Sequence, residues 1–183
     1  MHKRLGGLQL ATGIRAFCTV FLFREDRVLL LNRSNKSRFA PGRWTGVGGR
    51  VEASEWSDIQ AAGLREVAEE TGILPGEVND LRIRVVWTQP EGEDVVVIAF
   101  LTGQTDREVL GPCDEGELCW IDVSKTAELD WIGNARVAFD CAYQAMQDGE
   151  QNVSFGVGEQ DVDLQVRQVA FLDRPSVFSE DST

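Results

Sequence analysis

The chain has 183 residues, 43% of them hydrophobic and 26% charged, which fits one globular domain with a sizeable core. A net charge of −12 argues against long nucleic acid as a partner, because phosphate neutralisation needs a surface rich in Lys and Arg. Cys18, Cys113, Cys119 and Cys141 show no CxxC spacing and His2 is the only histidine, which argues against a zinc site, a disulfide framework and histidine-based catalysis.

No apolar run reaches the length of a membrane span, so no membrane partner and a cytoplasmic location are expected. Residues 1–12 read as a loose lead-in. Ile14 to Phe23 is rich in β-branched and aromatic residues and reads as a buried strand, with Cys18 as a core thiol. Arg24 to Arg27 forms a turn, and Val28 to Arg33 a second strand. Ser34 to Arg43 is a polar loop carrying Lys36, Arg38 and Arg43. The segment Trp44 to Glu52 follows, and its glycines allow backbone groups to approach a ligand. A helix is expected over Ser57–Thr71, with Ser57 or Asp58 as N-cap and Gly72 as its stop. Leu81–Trp87 and Asp94–Thr102 read as strands, with Gln89 to Glu93 as the turn between them. Leu118–Val123 is another strand, and Asn134–Met146 has helical spacing. This order predicts an α/β sandwich with one domain over 13–148. The acidic extension, 149–183, holds one candidate strand at Val162–Val169, able to pair with the sheet edge or a second subunit. Its end, Ser179 to Thr183, is expected to be disordered.

The chemistry concentrates between Gly48 and Ile73. On a helical wheel Glu66, Glu69 and Glu70 share one arc, while Ala61, Leu64, Val67 and Ala68 lie largely opposite. Three carboxylates within about one turn repel one another by a few tenths of a kcal/mol per pair. Hard divalent cations such as Mg²⁺ take carboxylate oxygens and keep substrate phosphates as further ligands. A metal–phosphate site is therefore the functional reading of the cluster.

The stretch resembles the Nudix box. Gly49 and Glu55 have the first spacing of that pattern; Arg65, Glu66, Val67, Glu69, Glu70, Gly72 and Ile73 have the last. The middle departs from it, because nine residues separate Glu55 from Arg65 rather than seven. Two extra residues inside the helix would rotate its face by about 200°, so the insertion is expected before the helix, around Trp56-Ser57-Asp58. The resemblance implies a Nudix-type α/β/α sandwich with a mixed β-sheet. It also implies Mg²⁺ dependence, with Mn²⁺ as the other candidate ion. Glu69 and Glu70 would be metal ligands, and Glu66 a ligand or the base. Arg65 would orient the glutamates, paired with Glu52 or Glu55. A carbonyl of Gly48 or Gly49 would join the metal site. Asp114, Glu115 and Glu117 are candidates for a later acid, with Glu115 preferred.

The implied reaction is water attack on a nucleoside diphosphate linked to another group. GRWTGVGGRVE and the later Glu-Leu-Cys-Trp resemble the subgroup of triphosphatases that clear oxidised purine nucleotides. The first expectation is thus hydrolysis of a (d)NTP or modified NTP. Arg33 and Arg38 are candidates for phosphate or base contacts, Thr45 and Asn134 for reading the base, and Trp44 and Trp131 for stacking on it. ADP-ribose or a nucleotide sugar is the alternative, with Pro90 as its weak marker. A nucleotide-sensing module without hydrolysis is a third reading, and the intact glutamates argue against it. The partner is a small nucleotide, and a homodimer is compatible with the sequence.

Overall fold

The computed structural model describes residues 13–109, 111–161 and 163–172. The expected lead-in and the expected disordered end lie outside those residues. Strand β1 (Gly13–Arg24) sends Ala16, Cys18, Val20 and Leu22 into one core, and Phe21 and Phe23 into a second. Burial on both faces is why its sequence reads as a nearly unbroken apolar run. One edge of β1 runs parallel to β6 (Asp94–Gln104), from Gly13↔Asp94 to Phe23↔Gln104. The other edge is divided. β4 (Val47–Arg50) pairs with it along Phe17–Val20, and β2 (Arg27–Arg33) along Leu22–Arg24. The remaining strands are β3 (Trp44–Thr45), β5 (Asn79–Glu91), β7 (Gly116–Asp122), β8 (Ser154–Gln160) and β9 (Val166–Phe171). The order is β3-β2-β1-β6-β5-β8-β9, with β4 on β1 and β7 on β2. Parallel pairs β1–β6 and β5–β8 among antiparallel neighbours make the sheet mixed.

Helix α1 (Ile59–Thr71) covers one face and α2 (Gly133–Gln147) the other. Ala62 and Val67 of α1 pack with Cys18, Val20 and Leu101. Ala138, Phe139 and Ala142 of α2 pack with Phe21, Trp87 and Phe100. Each such large side chain contributes roughly 1.5–3 kcal/mol when fully buried. The result is the expected α/β/α sandwich.

Three local expectations need correction. Pro90 lies in β5 opposite Val95, and the turn is only Gly92-Glu93. In a two-residue hairpin closed by Glu91↔Asp94, the Pro90 pair is not hydrogen-bonded across the strands. The missing N–H of Pro90 costs nothing there, since β8 pairs only with Val85–Thr88. The tail holds two strands rather than one. β8 was hidden by its glycines, yet Trp87 requires them: a Cβ on Gly158 would lie 2.1 Å from the Trp87 ring. The strand expected at 162–169 begins only at Val166, after a turn around Leu164.

The third correction concerns the face of α1. Ala62, Gly63, Glu66 and Val67 are buried, whereas Ala61 is exposed. The carboxylate arc leans toward the sheet because β4 presents Gly48 and Gly49 there, with no side chains in the way.

Candidate active site

The two-residue insertion is absorbed ahead of α1, as its position required. A 3-10 turn (Ala53–Glu55) leads to Asp58, whose carboxylate accepts from the Ala61 N–H at 3.1 Å. Gly72 ends the helix at φ 76°, donating its N–H to the Ala68 carbonyl. The register of Arg65-Glu66-Val67-Ala68-Glu69-Glu70 on the sheet is thereby fixed.

Arg65 is the hub. Its Nε and Nη2 donate to Glu55 Oε1 and Oε2 at 2.8 and 3.1 Å. Its Nη1 donates to Glu66 Oε1 at 2.9 Å and Glu69 Oε2 at 3.0 Å, and Nη2 also reaches the Arg50 carbonyl at 3.1 Å. Glu55, not Glu52, is the partner. Arg65 and the Glu52 N–H hold the Glu55 carboxyl below the usual range, and Glu55 in turn pushes the Arg65 guanidinium up. A forked guanidinium suits this role because its donors are coplanar and fixed.

The glutamates differ in setting. Glu69 is mostly exposed. The Glu66 carboxylate is packed onto Gly49, where a Cβ would come within 2.7 Å of it. Burial raises the Glu66 pKa in spite of Arg65. Glu70 is pushed up to about 8 by burial, then by the charges of Glu115 and Glu66, against a hydrogen bond from the Gly48 backbone. Its Oε2 is buried without a partner. A buried carboxylate oxygen with no donor, beside two more carboxylates, fits a cation. The donors are all oxygens, which suits a hard divalent ion. Glu66, Glu69 and Glu70, with Glu115 and the Gly48–Gly49 backbone, are the groups that would hold it. Among the described residues they form no ready-made set of three converging side chains, since Arg65 takes one oxygen each of Glu66 and Glu69.

A cleft of about 490 Å³ opens beside this cluster, on the α2 side of the sheet. Gly48, Gly49 and Glu115 belong to its wall, so cluster and cleft are continuous. Strand parity brings Arg15, Phe17 and Thr19 of β1 to the wall, opposite in direction to Cys18 and Val20. Gln89, Ile98, Thr45 and Asn134 complete much of it. Arg33 enters it, bonded to the Phe39 carbonyl at 3.0 Å and to Glu115 Oε2 at 3.2 Å.

Other expected residues lie elsewhere. Arg38 is exposed and outside the cleft lining. Trp131 is 4% exposed, stacked on Phe139 and bonded through Nε1 to the Thr126 carbonyl. Its ring is core, because the bulky indole fills the space between Phe21 and Phe139. Trp44 is half-buried against the same core and does not line the cleft. The sequence reading missed Arg15, Phe17, Phe39 and Gln89. For Arg15 and Phe17 the period-2 alternation of β1 carried the signal. Phe39 sat unnoticed in the basic loop, and Gln89 in a presumed turn.

The NUDIX domain family model matches residues 14–141. The chain belongs to the Nudix family. It is a Nudix hydrolase, of a class that acts on phosphoanhydrides. Solved structures agree on the fold. A MutT protein from Bacillus halodurans is 22% identical with a TM-score of 0.67, over 88% of this chain and 99% of that one. An ADP-ribose pyrophosphatase from Streptococcus suis is 16% identical with a TM-score of 0.56, over 77% and 96%. The NUDIX domain of Shewanella oneidensis NrtR, solved with ADP ribose, is 14% identical with a TM-score of 0.55, over 80% and 94%. A comparison with curated proteins finds no match. No helix among the described residues is long and apolar enough to cross a membrane.

Proposed function

We propose that this Nudix hydrolase cleaves a phosphoanhydride of a nucleoside diphosphate derivative, with a (d)NTP or modified NTP as the first substrate class. The observation that carries the reading is the continuity of the Glu66–Glu69–Glu70 cluster with the cleft. Phosphate chemistry and a base-sized cavity meet at Gly48, Gly49 and Glu115. Phosphoanhydrides already have good leaving groups, so positioning and charge neutralisation are most of the task. Bound Mg²⁺, or Mn²⁺, would supply that neutralisation and acidify an attacking water. Glu69 and Glu70 would hold the ion, joined by Glu115. Glu66, made more basic by burial, accepts the proton of the attacking water. Arg65 keeps Glu66 and Glu69 in place. Arg33, Arg15 and Arg50 line the cleft; Arg33 is paired with Glu115 and Arg15 with Glu91 and Asp94, so a phosphate would share these guanidinium groups with the carboxylates that orient them.

Pyrophosphate hydrolysis of ADP-ribose or a nucleotide sugar is the second reading. It is favoured by Glu91 on the cleft wall, whose second carboxylate oxygen, beside the one paired with Arg15, suits a hydroxyl of a second sugar. The deciding experiment measures phosphate and pyrophosphate release with Mg²⁺. Its panel holds canonical and oxidised NTPs, ADP-ribose, nucleotide sugars and dinucleoside polyphosphates. Preference for triphosphates is expected. Preference for ADP-ribose or a nucleotide sugar would replace the first reading with the second. Silence across the panel would contradict both.

A further inference from the structure

The cleft wall at Asn134 is held by a chain of amides that leads into the C-terminal hairpin. Asn134 is buried, and its Nδ2 donates to Gln89 Oε1 at 3.2 Å. The same oxygen accepts from Trp87 Nε1 at 2.8 Å. Gln89 Nε2 donates to Gln160 Oε1 at 3.0 Å, and Gln160 Nε2 donates to the Leu164 carbonyl at 3.2 Å. Both ends of this chain have a fixed sense. The indole N–H of Trp87 only donates, and the Leu164 carbonyl only accepts. No amide between them can flip without placing two donors or two acceptors face to face. Asn134 must therefore turn its nitrogen to Gln89, which leaves Oδ1 for the cleft. Among the described residues that oxygen has no partner. The hairpin is anchored at the same place, since the Gly133 N–H donates to the Leu164 carbonyl at 2.9 Å. A Cβ on Gly133 would lie 2.6 Å from that carbonyl oxygen, so hairpin and α2 meet backbone to backbone. Gln160 and Leu164 lie beyond the part of the chain that carries the Nudix domain.

We propose that hairpin β8–β9 is a specificity element of the active site. Gln160 acts as a positioning residue that, through Gln89, presents Asn134 Oδ1 as a fixed acceptor to an N–H on the edge of a bound nucleobase. The inference rests on the reading of the cleft as a nucleotide site. It gives the tail a role in base recognition and none in the phosphate chemistry. Gln160 touches neither the cleft nor the carboxylate cluster, which makes it the position to test.

The test is calorimetric binding with Mg²⁺ to the full chain and to Gln160→Met, which keeps the length and removes both hydrogen bonds. The ligands are ADP, GDP, CDP and UDP, since a nucleoside diphosphate is common to every substrate class considered. Ribose 5-diphosphate serves as the base-free control. The wild type is expected to bind at least one nucleoside diphosphate more tightly than the control. Gln160→Met is expected to lose roughly three- to tenfold of that preference, the scale of one hydrogen bond. Its affinity for ribose 5-diphosphate is expected to stay unchanged, with at most a small fall in Tm from the Gln89 donor left without its partner. A preference that survives Gln160→Met intact would overturn the relay. So would equal weakening of base-bearing and base-free ligands with a lowered Tm, which would make Gln160 a structural residue only. Equal binding of both ligand types by the wild type would instead overturn the nucleotide reading beneath it.

Discussion

Gly49→Ala separates the role of the glycine segment in catalysis from its role in folding. The added Cβ would meet three atoms of the Glu66 carboxyl group, Oε1 at 2.7 Å and Cδ and Oε2 at 2.8 Å each. Ordinary contact starts near 3.4 Å, so the carboxylate must retreat by about 0.7 Å. It is not free to swing, being tied to Arg65 Nη1 at 2.9 Å and largely buried. Overpacking of this kind costs about 1–3 kcal/mol in stability. A misplacement near 1 Å at reacting groups costs about 10²-fold in rate, so a fall in kcat of about tenfold or more is expected. Gly48→Ala is the contrasting variant. Its Cβ would lie 2.1 Å from the Cys18 carbonyl oxygen, inside the β1–β4 ladder, and nothing flexible is there to yield. Gly48→Ala is expected to fail in folding, Gly49→Ala to fold and turn over slowly. Steady-state kinetics with Mg²⁺ and thermal unfolding of both variants give the answer. Gly49→Ala with full kcat and an unchanged Tm would refute the placement of Glu66 against β4.

Glu70 makes stability depend on pH in the metal-free protein. Its folded pKa, about 8, exceeds the ordinary carboxyl value of 4.5, so its stabilising proton is fully in place below about 4.5 and lost as pH rises through about 8. Urea unfolding in chelator should show Glu70→Gln gaining on the wild type across that window, by on the order of a few kcal/mol, and a constant difference would be evidence against a buried, cation-seeking Glu70. Arg65→Lys loses the fork that spans Glu55, Glu66 and Glu69, and a drop in kcat of about 10–100-fold is expected with the fold retained. Unchanged kcat would remove Arg65 as the organiser. Trp131→Ala should cost about 3–5 kcal/mol in urea unfolding and leave the nucleotide KM unmoved. A raised KM without loss of stability would return that ring to the cleft.

Much of this architecture was legible in the residues. The box fixed the helix, its stop at Gly72 and the position of the insertion, because capping and helical phase are local properties. The two-sided burial of β1 was visible in its unbroken apolar run. What escaped were features set by contacts distant in sequence. The glycines of β8 look like loop until Trp87 is placed over them. Trp131 looks like a stacking platform until Phe21 and Phe139 close around it. Wheel geometry put the three glutamates on one arc, but the side of α1 that meets the sheet depended on which strand lay beneath. The partnership of Glu55 with Arg65 was one of two options in the sequence, and the capping geometry at Glu52 decided it.

On the proposed reading, the carboxylates of α1 carry a metal-dependent hydrolysis of a nucleotide phosphoanhydride. Turnover of the preferred nucleotide by the wild type and by Glu69→Gln, each with Mg²⁺ and with excess chelator, tests it most directly. Wild-type turnover is expected to be abolished by chelator, and Glu69→Gln to lose on the order of 10²–10⁴-fold at an unchanged Tm. Hydrolysis that persists in chelator, or in Glu69→Gln at the wild-type rate, would contradict it.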